Sequence, residues 1–191
     1  MVDLLKVYGD CWGREAGEWN TSLQNKYLEY MFACFLEENF IIHNDFDILN
    51  IGIGAGYWDR YLSYKVVNGS LTSVDIDREC ADNLAACLEN ENNTNPIKVI
   101  CADAITYDFD KKFDLVTMVG SAVAESGKTK AIIAKAISLI KEEGALYLQI
   151  LHKDTDFDID AFCVEHNVRI DKRLVDDKYG IHCEYYKITK C

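Results

Sequence analysis

Gly52, Gly54 and Gly56 alternate within "DILNIGIGAGYWDRYL", residues 47–62, directly after a short apolar run. Glycine has no Cβ, so a turn built on it can take unusual φ values and let a ligand touch main chain. A helix starting just beyond such a turn adds unpaired N–H groups, which suit an acidic group or a polar edge. Asp75 follows Gly56 by 19 residues, in "SVDID". An acid at the end of the next strand is placed to accept hydrogen bonds from a ribose diol. Asp77 suits a helix cap better. Asp103 closes a third apolar run in "VICADAI". These features fall on one edge of a sheet, so together they point to a nucleoside site.

Two cofactor classes meet that description. A nicotinamide dinucleotide expects G-x-G-x-x-G, its third glycine allowing close helix–strand packing. Here Tyr57 holds that place and the glycine comes one residue earlier. A pyrophosphate would also bring negative charge to a chain whose formal net charge is −12. The spacing therefore favours a nucleoside ligand without phosphates.

Other residues could do chemistry. His152 and Glu125 are candidate general bases, needed only where an acceptor must lose a proton. Each also reads as an ordinary surface or helix-start residue. Tyr8, Trp12 and Trp19 could line a substrate or hold a cationic amine by their faces; equally, they could pack the N-terminal segment onto the core. "DTDFDIDAFCVE" puts Asp154, Asp156, Asp158 and Glu165 at calcium-loop positions, but the turn position is Ile159 rather than glycine. That run reads as a solvated loop capping the next helix. The eight cysteines form no CxxC pair and do not cluster with the four histidines, so no metal site is expected.

The elements that must position these groups follow from periodicity. Residues 1–46 read as an N-terminal helical extension or lid. Thr21 and Gln24 form a capping box, and Leu23, Tyr27, Tyr30, Met31, Cys34 and Phe35 make an apolar stripe. From residue 47 strands and helices alternate: strands at 48–51, 71–74, 97–101, 113–118 and 145–151, helices at 57–66, after Asp77, at 128–142 and near 158–166. Gly144 is expected to stop the helix before the fifth strand. Two alternating stretches, 168–175 and 181–189, flank the turn signal "DDKYG" and should pair antiparallel. Alternation of this kind implies a parallel sheet, with ligands beyond its carboxyl edge.

With 191 residues, 49% of them hydrophobic, the chain suits one substantial core. Its acidity disfavours a nucleic-acid partner. The N-terminal stretch lacks a signal-peptide pattern, no membrane span is visible, and the cysteines read as reduced thiols, so a cytoplasmic location is expected.

"LNIGIGAG", "SVDID", "CADA", "FDLVTMV" and "IKEEGALYLQI" resemble, in order and spacing, successive motifs of the class I S-adenosylmethionine-dependent methyltransferases. The resemblance runs from about residue 47 to the end. It implies an α/β, three-layer Rossmann-like methyltransferase sheet, mostly parallel with one antiparallel strand near the C-terminus, with 47–191 as the core. It also implies S-adenosylmethionine as cofactor. Gly52, Gly54 and Gly56 would line its methionine and ribose parts, Asp75 would bind the ribose hydroxyls and Ile76 would pack on adenine. Asp103 and Ala104 would meet the adenine edge, and Val119 would border the cofactor. One departure stands out: the family usually has an acid two places before the first glycine, where this chain has Asn50. The Asn/Asp-Pro-Pro-Tyr/Phe motif after the fourth strand is replaced by "MVGSAVAES", which disfavours DNA and glutamine methylation. The expected activity is methyl transfer to a small molecule or peptide. A cofactor-binding scaffold subunit without transferase activity is the alternative, motivated by Asn50, and an NAD-dependent oxidoreductase ranks third.

Overall fold

Seven strands form one sheet in the order β3-β2-β1-β4-β5-β7-β6. The computed structural model describes residues 22–95, 97–120, 122–151 and 157–191. The strands are β1 (Asp47–Ile51), β2 (Ser70–Asp75), β3 (Ile97–Cys101), β4 (Phe113–Met118), β5 (Ile140–Leu151), β6 (Val168–Asp176) and β7 (Cys183–Lys190). β1 to β5 pair in parallel, whereas β7 runs antiparallel to both neighbours. The expected reversed strand is therefore β7, reached from β6 through a turn too short for a crossover. The order reverses between β1 and β4, and the crevice beyond their carboxyl ends is where this topology binds ligands.

The helices are α1 (Leu23–Asn39), α2 (Tyr57–Ser63), α3 (Arg78–Asn90), α4 (Ala122–Glu125), α5 (Thr129–Leu139) and α6 (Ile159–Glu165). A smaller apolar cluster joins α3 to Ile53, and the two larger ones lie on opposite faces of the sheet. One joins α5 and α6 to β4 and β5 through Ile133, Ile137, Leu146 and Phe162. The other joins α1 and α2 to the opposite face through Phe35, Leu36, Leu62 and Tyr185.

Three local expectations are corrected. Ser22, not Thr21, caps α1: its Oγ accepts from the Asn25 N–H at 3.0 Å. The buried face of α1 is Leu28, Phe32, Phe35 and Leu36, while Leu23 and Tyr30 are exposed. Apolar residues occur nearly all round this helix. Rings on the sheet select the face: Phe35 lies 5.3 Å from Tyr147 and 5.7 Å from Tyr185, centroid to centroid. Gly144 does not end α5, which stops at Leu139. It lies inside β5 beside the irregular pairing with β4, where a Cβ would come within 2.9 Å of the Phe113 carbonyl. The glycine admits a backbone approach there.

Asp77 caps α3 as expected, accepting from the Glu79 N–H at 2.8 Å. Asp158 caps α6 through the Ala161 N–H at 3.0 Å. Among the described residues no helix is long and apolar enough to cross a membrane, and no acid, cysteine and histidine cluster could hold a metal ion.

Candidate active site

The β1–α2 turn explains its own glycines. Gly52, Gly54 and Gly56 have φ of 92°, 53° and 76°, the left-handed region that side chains disfavour. Asp75 fastens this turn from β2. Its Oδ2 accepts from the Ile53 N–H at 2.6 Å and the Gly54 N–H at 3.2 Å, and its Oδ1 accepts from the Asp77 N–H at 2.9 Å. A carboxylate offers about four acceptor sites, so the chain's own backbone already fills most of them. Asp75 is thus a builder of the loop before it is a ligand for any diol.

A cavity of about 410 Å³ opens beside this turn. Gly52, Gly54, Gly56, Asp75, Ile76 and Val119 all line it, and so does Glu125. Ile76 is 72% exposed, an apolar side chain left open at the mouth. Cys80 and Asp77 complete that end. The opposite wall comes from Glu29, Phe32 and Ala33 on α1 and from Tyr57, Trp58 and Tyr61 on α2. The described lining holds four carboxylates, Glu29, Asp75, Asp77 and Glu125, and no lysine, arginine or histidine.

Three expected residues sit elsewhere. Asp103 turns inward on its own loop, accepting from the Ile105 N–H at 2.9 Å, with Lys128 4.0 Å from its other oxygen. Ala104 is buried in the α5-side core. Asn50 is fully buried behind the glycine turn. His152, Tyr8, Trp12 and Trp19 lie outside the described residues.

Asn50 anchors a polar network beneath the turn. Its Nδ2 donates to the Gly52 carbonyl at 2.9 Å and to Asp59 Oδ1 at 2.8 Å. Its Oδ1 accepts from the Thr117 hydroxyl at 2.8 Å, and that hydroxyl accepts from the Trp58 indole N–H at 3.2 Å. The amide can face only one way: turned over, it would set an oxygen against a carbonyl and a carboxyl. Asp59 is fully buried, and burial pushes its carboxyl up to about 6 despite favourable interactions with Ser73 and Asn50. Its Oδ2 and the Ser73 hydroxyl are buried without a hydrogen bond of regular geometry.

Asp59 and the α1 and α2 aromatics were not singled out by sequence. Asp59 did carry a signal, since it shares the inner stripe of α2 with Leu62 and Ser63. Phe32 carried none that separates it from a core residue.

A family model described as a methyltransferase domain matches residues 48–144, just over half the chain. The chain belongs to the class I S-adenosylmethionine-dependent methyltransferases. This methyltransferase is 23% identical over 171 residues to malonyl-[acyl-carrier protein] O-methyltransferase 2 of Ilyobacter polytropus. The match covers 84% of this chain and 63% of that protein, so the chain spans less than two thirds of its relative. Its fold is shared by the magnesium protoporphyrin IX methyltransferase of Synechocystis with bound S-adenosylhomocysteine, at TM-score 0.73 and 13% identity over 98% of this chain and 99% of that one. A methyltransferase from Clostridium acetobutylicum matches at TM-score 0.66 and 13% identity, over 98% and 97% of the two chains. S-adenosylmethionine is the methyltransferase's cofactor. The site suits it: a bare turn admits a ligand to main chain, an apolar residue lies open at the mouth, and an acidic lining faces a cationic compound.

Proposed function

We propose that this methyltransferase transfers the methyl group to an uncharged or cationic small molecule or peptide side chain. The acceptor sits between the glycine turn and the wall formed by α1 and α2. The observation that carries this reading is the lining itself, which joins Phe32, Trp58 and Tyr61 to Glu29 and Glu125 with no basic side chain among the described residues. A carboxylate or phosphate acceptor would meet lining carboxylates and no basic side chain among the described residues, which disfavours it. The curated relative's name describes action on a malonyl group, so this chain's lining supports a different acceptor chemistry.

The cofactor supplies an activated methyl on a sulfonium, so the protein's work is to position and to exclude water. Gly52 and Gly54 give the ligand main-chain contact. Asp75 holds the turn and retains acceptor capacity for a ribose hydroxyl. Val119 and Phe32 close the cavity with apolar surface. Glu125 is the candidate base among the described lining residues, for acceptors that must lose a proton. α1 stands on the acceptor side through Glu29, Phe32 and Ala33.

The test is formation of S-adenosylhomocysteine with matched acceptors: primary amines, phenols and alcohols against carboxylates of similar size. Turnover with amines or neutral hydroxyl compounds and none with carboxylates is expected. Preferred turnover of carboxylates overturns the acceptor class. Tight cofactor binding with no product from any acceptor favours the scaffold reading.

A further inference from the structure

The network beneath the glycine turn holds a buried carboxyl that does not itself line the cavity. Asp59 is fully buried, bonded through one oxygen, and linked to the loop by a single amide. That amide nitrogen lies within 3 Å of both the Asp59 carboxyl and the Gly52 carbonyl, and Gly52 lines the cavity. The Asp59 charge therefore stands directly behind the wall where the methionine part of the cofactor is expected.

We propose that Asp59 acts through that wall as the charge that separates cofactor from product, favouring the sulfonium of S-adenosylmethionine over the thioether of S-adenosylhomocysteine. The inference rests on the cofactor lying against the glycine turn. The two compounds share adenosine, ammonium and carboxylate groups; they differ by one methyl group and one positive charge. A fixed negative charge behind the loop acts on that difference alone. Water cannot reorient around a buried group, so its field is weakly screened. Discrimination of this kind favours exchange of product for fresh cofactor in the one site they share.

Within the network beneath the turn, the polar partners around Asp59 carry no charge of their own. Asn50 on β1, Ser73 on β2 and Thr117 on β4 are neutral. Asp75 on β2 is the charged group that acts on it most, and being acidic it resists ionisation of Asp59. Arg60, next on α2, is engaged with Glu91 at the end of α3, and Tyr61 and Lys65 are engaged with Glu37 on α1. No cation among the described residues is bonded to Asp59, so a bound sulfonium is the counter-charge it lacks. Asn50 also gains a reason: an acid there would set two carboxyls against one another and against the Gly52 carbonyl.

Because Asp59 ionises within reach of neutrality, the preference depends on pH. Protonated Asp59 has no charge to offer; ionised Asp59 does. The experiment measures Kd for both compounds by calorimetry from pH 5 to 7.5, on the full chain and on Asp59→Asn. In the unaltered protein the ratio of product Kd to cofactor Kd is expected to rise about tenfold across that range. In Asp59→Asn it should stay at its low-pH value. The carboxyl carbon resonance of Asp59 provides a second readout without a variant: its titration midpoint should fall by about one pH unit with S-adenosylmethionine and barely move with S-adenosylhomocysteine. A flat ratio in the unaltered protein, an undiminished rise in Asp59→Asn, or equal midpoint shifts overturns the role of Asp59 alone. Failure of both compounds to bind overturns the cofactor placement and this inference with it.

Discussion

Asn50 and Asp59 show how a single polar pair can oppose stability while shaping a site. Burial raises the Asp59 carboxyl from an ordinary value near 3.8 to about 6. The folded protein therefore binds a proton more tightly than the unfolded chain does. Stability is greatest below the unfolded value and declines as pH rises through the folded one, leaving a cost of roughly 2–3 kcal/mol at pH 7. Asp59→Asn removes the charge and keeps an oxygen to accept from Asn50. Urea unfolding at pH 7 should show that variant more stable than the parent by about 2 kcal/mol, with the gain gone by pH 4. A loss of stability at pH 7 would mean that ionised Asp59 is better solvated than its burial indicates. The glycines and Asp75 were legible in sequence because their spacing is local. Asp59 was visible only as an acid in an apolar stripe, and its partners Thr117 and Asn50 lie on different strands, which spacing along the chain does not reveal.

At the scale of elements, strand starts are tied together opposite the site. Asp47 opens β1, and its backbone N–H donates to Asp114 on β4 at 2.8 Å. Its carboxyl accepts from Lys111 at 2.6 Å and from Ser70, the first residue of β2, while Lys141 at the start of β5 lies 2.8 Å from Asp114. Burial alone would raise the Asp47 carboxyl, but Lys111 and Ser70 hold it below the usual range. A depressed acid contributes stability above its unfolded value, near 4, and loses it as pH falls through the folded value. The groups are partly exposed, so the Lys111 pair contributes about 0.5 kcal/mol and salt screens it. Lys111→Met should lower the urea midpoint by that small amount at pH 7 and leave it unchanged at pH 2.5. An effect of equal size at both pH values would assign the loss to packing of the lysine stem. Sequence located these strands within a residue or two, because buried parallel strands are short apolar runs. It misplaced the start of β5, because "IKEEG" reads as a helix end when the close approach of β4 to Gly144 cannot be seen. It set the stripe of α1 partly off, keeping Phe35 but missing Leu28, Phe32 and Leu36, for a related reason: the rings of Tyr147 and Tyr185 decide which apolar face turns inward.

For the whole molecule, exposed charge, the lining carboxylates and buried Asp59 all act on a cationic cofactor, and ionic strength separates the exposed part. The surface carries a formal net charge of −12, and its long-range attraction falls within a Debye length of about 8–10 Å at ordinary salt. Asp59 acts over a short path through protein and is shielded little. At pH 7.5 the Kd of S-adenosylmethionine should therefore rise severalfold, by about three- to tenfold, between 10 and 500 mM salt, as surface attraction is screened. The Kd of S-adenosylhomocysteine, which is neutral overall, should change far less. The ratio of the two should fall with salt to a plateau above one rather than to unity, because the buried charge remains. Asp59→Asn should lower the plateau and keep the salt-dependent part, the lining carboxylates being unchanged. Calorimetry at four salt concentrations on both proteins measures these contributions at once: the same plateau in both proteins would leave Asp59 no part in the discrimination, and a ratio insensitive to salt would assign none to the surface.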